Sequence, residues 1–310
     1  MSGRDLVVLG TASQVPTRER AHHGALLRFD GTGILLDPGE GTQRQLSLAG
    51  IPASTIHRVC ITHAHGDHCL GLPGVLQRLA LDRVRHPVTL HYPHHAEPYV
   101  EALCHASASV SATPVVRAPT GPGTVSTAPP LEIHARELSH ALPTLGWRFV
   151  QPPGITMLAD RLEALGIPHA ARGELQEHGE ITLAGRRIHL DEVSTPRRPV
   201  RFAHVMDTRV CDGAYELAAD TDLLLIEATF LDAERDLAEE SGHLTAAQAA
   251  RIGAESGARR VVLTHLSRRY PGTEAHEAEA RAAAPALDLH VARDLDVIGL
   301  TGPVTDLRGR

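Results

Sequence analysis

The sequence predicts an α/β protein. Short apolar, β-branched runs alternate with stretches of helical periodicity along most of the 310 residues. Four of those apolar runs lead straight into a histidine or an aspartate. With 42% hydrophobic residues, the chain can build a large core. Strands are expected at 5–9, 25–29, 33–36, 58–62, 87–92, 131–138, 146–150, 201–206, 222–226, 260–264 and 289–299. Asp30-Gly31 between the second and third marks a hairpin. Helices are expected at 71–83, 97–106, 158–165, 213–220, 244–257 and 274–284; Thr245 opens the fifth and Gly257 closes it. Residues 112–130, rich in Pro, Gly, Ser and Thr, read as a loop, and no repeat of solenoid length is present.

Composition excludes several classes. No apolar run reaches 18 residues, so a membrane span is not expected. The start, Met1-Ser2-Gly3-Arg4-Asp5, lacks the layout of a signal peptide, which predicts a cytoplasmic protein. Cys60, Cys69, Cys104 and Cys211 form no C-x-x-C pair and read as reduced thiols; Cys69 has better metal ligands around it than itself. The net charge of −7 is not that of a bulk nucleic-acid binder. All 30 basic residues are arginine, however, the side chain that grips phosphate with a bidentate fork.

The strongest signal is His63-Ala64-His65-Gly66-Asp67-His68, which follows the strand Arg58 to Thr62. Four ligand-type residues in six positions can converge on one place only from a tight loop, and Gly66 supplies the flexibility. Three further strands end alike: Leu131 to Leu138 runs into Ser139-His140, Phe202 to Met206 into Asp207, and Val261 to Thr264 into His265. Ligands at the rim of a buried sheet, drawn from distant segments, describe a functional site. Imidazole and carboxylate donors without thiolate suit Zn²⁺ or Mn²⁺ in an open hydrolytic centre.

With these motifs in view, the chain resembles the metallo-β-lactamase superfamily, and within it the ribonuclease Z family. The likeness runs nearly end to end. It is carried by Leu9-Gly10-Thr11-Ala12, Asp37-Pro38-Gly39-Glu40-Gly41-Thr42-Gln43, the histidine loop, Gly71-Leu72-Pro73-Gly74 and Ser139-His140. It continues through Met206-Asp207-Thr208-Arg209, Glu227-Ala228-Thr229-Phe230, His243-Leu244-Thr245 and Leu263-Thr264-His265. The resemblance implies an αββα sandwich with two Zn²⁺ per subunit: His63, His65 and His140 on one, Asp67, His68 and His265 on the other, and Asp207 bridging. It further implies that Asp67 is either ligand or proton acceptor, that His243 is a general acid, and that Glu227 assists it. Asp37 is either a turn residue or a support for a metal-bound histidine. Three positions depart from the family pattern. Ile226 and Leu244 stand where a histidine and a serine are usual, and Ala21 replaces the asparagine after Pro16, Arg18 and Arg20.

The resemblance also implies a single domain over 1–310 with an inserted arm at 151–201 that grips tRNA, and a homodimer. Leu162 to Pro168 matches the arm pattern, but Ala170-Ala171 replaces the expected Gly-Pro. The insert holds seven arginines against seven acidic residues, with Arg186, Arg187, Arg197, Arg198 and Arg201 towards its end. The expected function is a phosphodiesterase removing the 3′ trailer from precursor tRNA by metal-activated water attack, leaving a 3′-hydroxyl. A broad phosphodiesterase acting on small esters is the alternative; a non-catalytic RNA-binding relative would lack ligands that are all present.

Overall fold

The computed structural model describes residues 3–108 and 113–307, which fall into two compact units. Residues 151–199 form the smaller one, and the rest of the described chain forms the larger. Two sheets make up the larger unit. The first runs, edge to edge, through Val304–Asp306, Asp296–Gly299, Arg4–Gly10, Gly24–Phe29, Thr32–Leu36, Ile56–Cys60, Val88–Pro93 and Val115–Thr120. The second runs through Asp288–Val291, Arg260–Thr264, Leu223–Glu227, Arg201–Val205, Thr144–Val150, Glu132–Leu138 and Gly123–Ser126.

Both faces of the central strands are buried, which is why strands such as Leu223–Glu227 read as continuous apolar runs, whereas Glu132–Leu138 nearer an edge alternates. Period-two alternation divides the side chains between two cores. Leu6, Val8, Leu27 and Ile34 of the first sheet meet Ile133, Trp147, Phe149, Leu225 and Val262 of the second. Val7, Leu9, Leu26 and Leu35 face the other way, onto the helices Thr42–Leu48, Leu72–Leu81 and Glu97–Cys104. Val205, Leu224, Ile226 and Leu263 likewise turn outward to Asp212–Ala218, Ala246–Glu255 and Glu274–Ala283. The order of layers is helix, sheet, sheet, helix, as the resemblance implied.

Local chemistry explains the boundaries. Asp30 and Gly31 both have positive φ, at 48° and 86°, giving the hairpin its tight turn. Thr245 caps Ala246–Glu255: its hydroxyl accepts from Gln248 N while the Gln248 side chain accepts from Thr245 N. Two expectations need correction. Residues 289–299 are two strands in different sheets, because Arg293 N donates to Asp296 Oδ2 (2.9 Å) and Leu295 takes φ 70°, turning the chain across. The loop expected at 112–130 contains the edge strands Val115–Thr120 and Gly123–Ser126; residue 112 lies outside the described residues. Its prolines are tolerated because an edge strand needs donors on one side only.

The smaller unit pairs Gly154–Met157 with Ser194–Arg197 and Glu180–Leu183 with Arg186–His189. With the helices Ala159–Ala164 and His169–His178, these strands enclose Leu162, Ile167, Leu175, Ile181, Ile188 and Val193. It ends at Pro199, so Arg201 is not part of it: Arg201 opens a central strand of the larger unit, its N–H on Asp222 Oδ2 at 2.9 Å. No helix among the described residues is long and apolar enough to cross a membrane.

Trp147 lies wholly buried between the two sheets. Trp147→Ala should cost about 3–5 kcal/mol by removing packed area and leaving a cavity, read as the shift in the urea midpoint at unchanged slope.

Candidate metal centre

Each expected ligand sits just past the end of a strand, and both sheets contribute. Ile56–Cys60 leads through Ile61 and Thr62 to the loop 63–68, where Gly66–Cys69 makes a single helical turn. Glu132–Leu138, Arg201–Val205 and Arg260–Thr264 deliver His140, Asp207 and His265 to the same rim. Asp37, Asp207 and His265 all adopt left-handed backbone, with φ of 43°, 46° and 62°. Such backbone is strained for residues other than glycine and costs about 1–3 kcal/mol at each position.

All seven residues are brought together, in two donor groups. In the first, His63 Nε2 lies 2.8 Å from His65 Nδ1, which is 3.4 Å from His140 Nε2. Asp207 Oδ2 stands 3.5 Å from His63 Nε2 and 3.8 Å from His140 Nε2. In the second, His68 Nε2 and His265 Nε2 are 3.2 Å apart, and Asp67 Oδ2 is 3.5 and 3.4 Å from them. Asp207 Oδ1 is 3.3 Å from both. The edge of a tetrahedron with bonds of about 2.0–2.1 Å is about 3.3 Å, so most of these spacings are those of a coordination shell.

The far side of four of the five rings is anchored. His63 Nδ1 faces Thr62 Oγ1 (3.0 Å), whose own proton goes to Asp37 Oδ2 (2.8 Å), so His63 Nδ1 must donate. His68 Nδ1 donates to Asp37 Oδ2 (2.9 Å) and His140 Nδ1 to the Gly242 carbonyl (2.8 Å). His265 Nδ1 donates to Thr229 Oγ1 (2.9 Å), which passes its proton to Glu227 Oε2 (2.6 Å). Four histidines are thereby fixed with Nε2 lone pairs pointing inward. Those of His68 and His265 confront each other, which demands positive charge between them. Asp207 Oδ1, buried and without a hydrogen-bond donor among the described residues, adds to that demand. The donor set therefore fits divalent cations.

Four carboxylates are buried here: Asp37, Asp67, Asp207 and Glu227. Burial alone would raise Asp67 and Asp207, yet the surrounding imidazoles hold both well below the usual carboxylate range. Burial pushes His63 down, leaving it a neutral ligand. Burial also opposes charge on His68, but Asp207, Asp67 and Asp37 outweigh it and drive that group well up, so that where no cation lies between His68 Nε2 and His265 Nε2 a proton takes its place. His243, its Nδ1 3.0 Å from Glu227 Oε1, behaves alike: burial lowers it, Glu227 and Asp207 raise it, and the balance is about 9. Glu227 Oε1 also accepts from Thr208 N at 2.7 Å.

A cavity of about 630 Å³ exposes the centre, lined by His65, Asp67, Asp207, His243 and His265 with Arg268 and Arg269 at its edge. These arginines were not among the residues expected from the sequence, although Ser267-Arg268-Arg269 directly follows a ligand strand. Both are exposed. Arg20 is the reverse case. Expected in a substrate loop, it is buried, its guanidinium donating to the carbonyls of Leu266 and Tyr270. The loop is further tied by Asp294, which accepts from Thr11 Oγ1 and from Ala21 N, both at 2.7 Å. Ala21 thus serves through its backbone. Ile226 and Leu244, the other departures, are fully buried against the outer helices. Asp37 fills both roles considered for it, turn and support. Cys69 is no donor here: its thiol, pushed up to about 11 by burial, donates to the His65 carbonyl (3.1 Å). Behind the centre, His23 and His204 face each other through Nε2 at 3.0 Å, both kept neutral by burial.

A two-sheet sandwich with clustered His and Asp donors at one rim defines a metallo-β-lactamase-fold protein with a metal-binding site. Family comparison agrees: the metallo-beta-lactamase superfamily matches residues 18–154 and the beta-lactamase superfamily domain residues 154–266. More narrowly, the chain belongs to the ribonuclease Z family. It is 52% identical over 303 residues to ribonuclease Z of Nocardia farcinica, covering 97% of this chain and 99% of that one. It is 53% identical over 298 residues to ribonuclease Z of Streptomyces coelicolor, covering 95% and 97%. Among solved structures, the short form of human tRNase Z shares the fold at a TM-score of 0.69 and 24% identity, covering 96% of this chain and 99% of that one.

Asp207→Ala removes an oxygen from both donor groups. The variant should bind metal more than about 100-fold more weakly, beyond what loss of a supporting partner costs, while the metal-free protein keeps its melting temperature. Elemental analysis after dialysis and a thermal melt check the two halves; metal retained at the wild-type level would refute the assignment.

Proposed function

We propose that this chain is a metal-dependent endoribonuclease that cuts the 3′ trailer from precursor tRNA and leaves a 3′-hydroxyl on the tRNA. The observation that carries it is the pairing, at one rim of the sandwich, of seven metal-type donors with the Glu227–His243 couple. Identity of about half to ribonuclease Z over nearly the full chain supports the same reading and disfavours a small-ester phosphodiesterase. We take the centre to hold two ions: His63, His65 and His140 on one, Asp67, His68 and His265 on the other, Asp207 shared. Zinc is the first choice, because the donors are imidazole and carboxylate without thiolate. When bound, such a pair lowers the pKa of water, aims it in line at phosphorus and offsets the developing charge.

The chain's own residues do the rest. Asp67, held ionised by His68 and His265, is assigned as a ligand, and its carboxylate lines the cavity, where the alternative role of proton acceptor would be played. His243 is doubly protonated at neutral pH; with Nδ1–H on Glu227, its Nε2–H is left for the departing 3′-oxygen. Glu227 keeps that ring charged and aimed, and four bonds from Thr208, Thr229 and His243 hold Glu227 itself. Arg268 and Arg269 offer guanidinium groups to phosphates beside the scissile one.

The unit 151–199 is proposed as the arm that holds tRNA away from the cut, in a homodimer acting in the cytoplasm. Without Arg201 it carries six arginines against seven acids. Arg186 is paired with Glu192 (2.9 Å), and Arg187 lies 3.9 Å from Glu180. Such a unit would grip by shape and a few contacts rather than by bulk charge.

Two outcomes are expected. Zinc-loaded protein should release a trailer from 3′-extended pre-tRNA, its rate falling on the alkaline side of neutrality as His243 loses its proton. His243→Ala should lose about 100- to 10,000-fold in kcat together with that limb. Removal of residues 155–195 should abolish pre-tRNA cleavage but spare bis(p-nitrophenyl) phosphate, compared in parallel assays. Hydrolysis of the small ester alone by the intact protein would favour the broad phosphodiesterase.

A further inference from the structure

We infer that Arg209 is a positioning residue: its guanidinium sets the end of the helix Arg235–Ser241, and through that end it aims His140 and His243. The inference rests on the metal-nuclease reading above.

That helix has seven residues, about two turns, too short to persist on its own. Its last turn carries Glu239 and Glu240 and no basic residue, the wrong sign for the partial negative charge at a helix C-terminus. Arg209 supplies the missing cation from another segment. Its Nε donates to the Glu239 carbonyl (2.7 Å), which otherwise has only a long bond from Gly242 N (3.3 Å), and its Nη2 donates to the Glu240 carbonyl (3.2 Å), one of the groups a helix end leaves without an intrahelical partner. Nε also lies 3.3 Å from Glu239 Oε1.

Beyond this clamp the chain turns into the site. Gly242 takes φ 79°, and His243 N returns to the Ala238 carbonyl at 2.8 Å. The Gly242 carbonyl orients His140, and the next residue, His243, meets Glu227. A Cβ on Gly242 would come within 2.8 Å of His140 Nδ1 and 3.2 Å of Arg209 Nη1, so helix end, ligand and guanidinium are in close contact. Arg209 reaches the same place through its backbone. Its N–H donates to the Ser139 carbonyl (2.8 Å), and Ser139 N donates to Thr208 Oγ1 (3.0 Å). One residue, two positions from Asp207, thus joins the segments bearing a ligand of the first donor group, its orienting carbonyl and the proposed acid.

A merely structural cap would cost stability alone, so the test reads more. Full-length Arg209→Ala, Arg209→Lys and Arg235→Ala proteins are compared for melting temperature, zinc affinity against a chelator, and kcat and KM on 3′-extended pre-tRNA. Arg235 is the first residue of the same helix and pairs with Asp232 there, at the end opposite Arg209, so its variant controls for helix stability. Arg209→Ala should lose about 10- to 100-fold in kcat and in affinity for the ion assigned to His63, His65 and His140, with KM within about twofold. Added guanidinium ion should restore part of the rate, and lysine, lacking the fork, should fall between. Arg235→Ala should keep its kcat. Wild-type zinc affinity and kcat in Arg209→Ala would overturn the inference, as would an equal loss in Arg235→Ala without guanidinium rescue. If the alanine variant does not fold, Arg209→Lys decides alone: wild-type values in it would equally overturn the inference. Failure of the wild type to cut pre-tRNA would reject the functional reading while leaving the zinc-affinity comparison intact.

Discussion

Asp207 constrains everything around it. A single carboxylate presents one oxygen to His63 and His140 and the other to His68 and His265. Both donor groups can exist only if the first sheet's histidine loop and the second sheet's strand ends come to one point. The strained φ of Asp207 is what turns its side chain inward at the close of a strand, and the fully buried strand behind it, Phe202 to Met206, holds that strain in place. The sandwich core is therefore also the frame that fixes where these oxygens lie.

Two threonine hydroxyls repeat one device on the two sheets. Thr62 stands between His63 and Asp37, and Thr229 between His265 and Glu227. In each case the hydroxyl gives its proton to a buried carboxylate and so must accept from the imidazole, which fixes the tautomer. A valine of the same shape would fill the space and lose the direction. The second relay carries further than the first, since Glu227 also holds His243; the ring proposed as acid and a ring of the metal centre lean on the same carboxylate. The changes at Ile226 and Leu244 leave this chain of contacts intact because both side chains point into the outer core.

Much of the site was legible in the sequence because ligand chemistry and strand ends are both local signals. His63, His65, Asp67 and His68 sit in one loop, and His140, Asp207 and His265 each follow an apolar run. What was not legible depends on distant partners. The role of Arg20 changed because carbonyls 246 and 250 residues away claim its guanidinium. Residues 289–299 read as one strand because nothing local says that the chain changes sheets there. The helix Arg235–Ser241 escaped notice for a similar reason: it is short, acidic at the wrong end and completed by an arginine from another segment.

Charge is the property that sequence alone presents most misleadingly. A net charge of −7 argues against a polyanion as substrate, yet a large share of the acidity lies where RNA would not meet it as negative charge. Asp37, Asp67, Asp207 and Glu227 are buried around donors that call for cations, and two divalent ions would reverse the sign of the cavity. Outside it, many carboxylates are already matched, as Asp5 is by Arg28, Asp30 by Arg4 and Glu216 by Arg136. A phosphate chain is screened from charges much more than about 8–10 Å away at ordinary salt, so the relevant field is that of the cavity edge. There the exposed groups are Arg268 and Arg269. On the proposed reading, attraction is confined to the cut itself, and the nearly neutral unit at 151–199 would contribute fit rather than field.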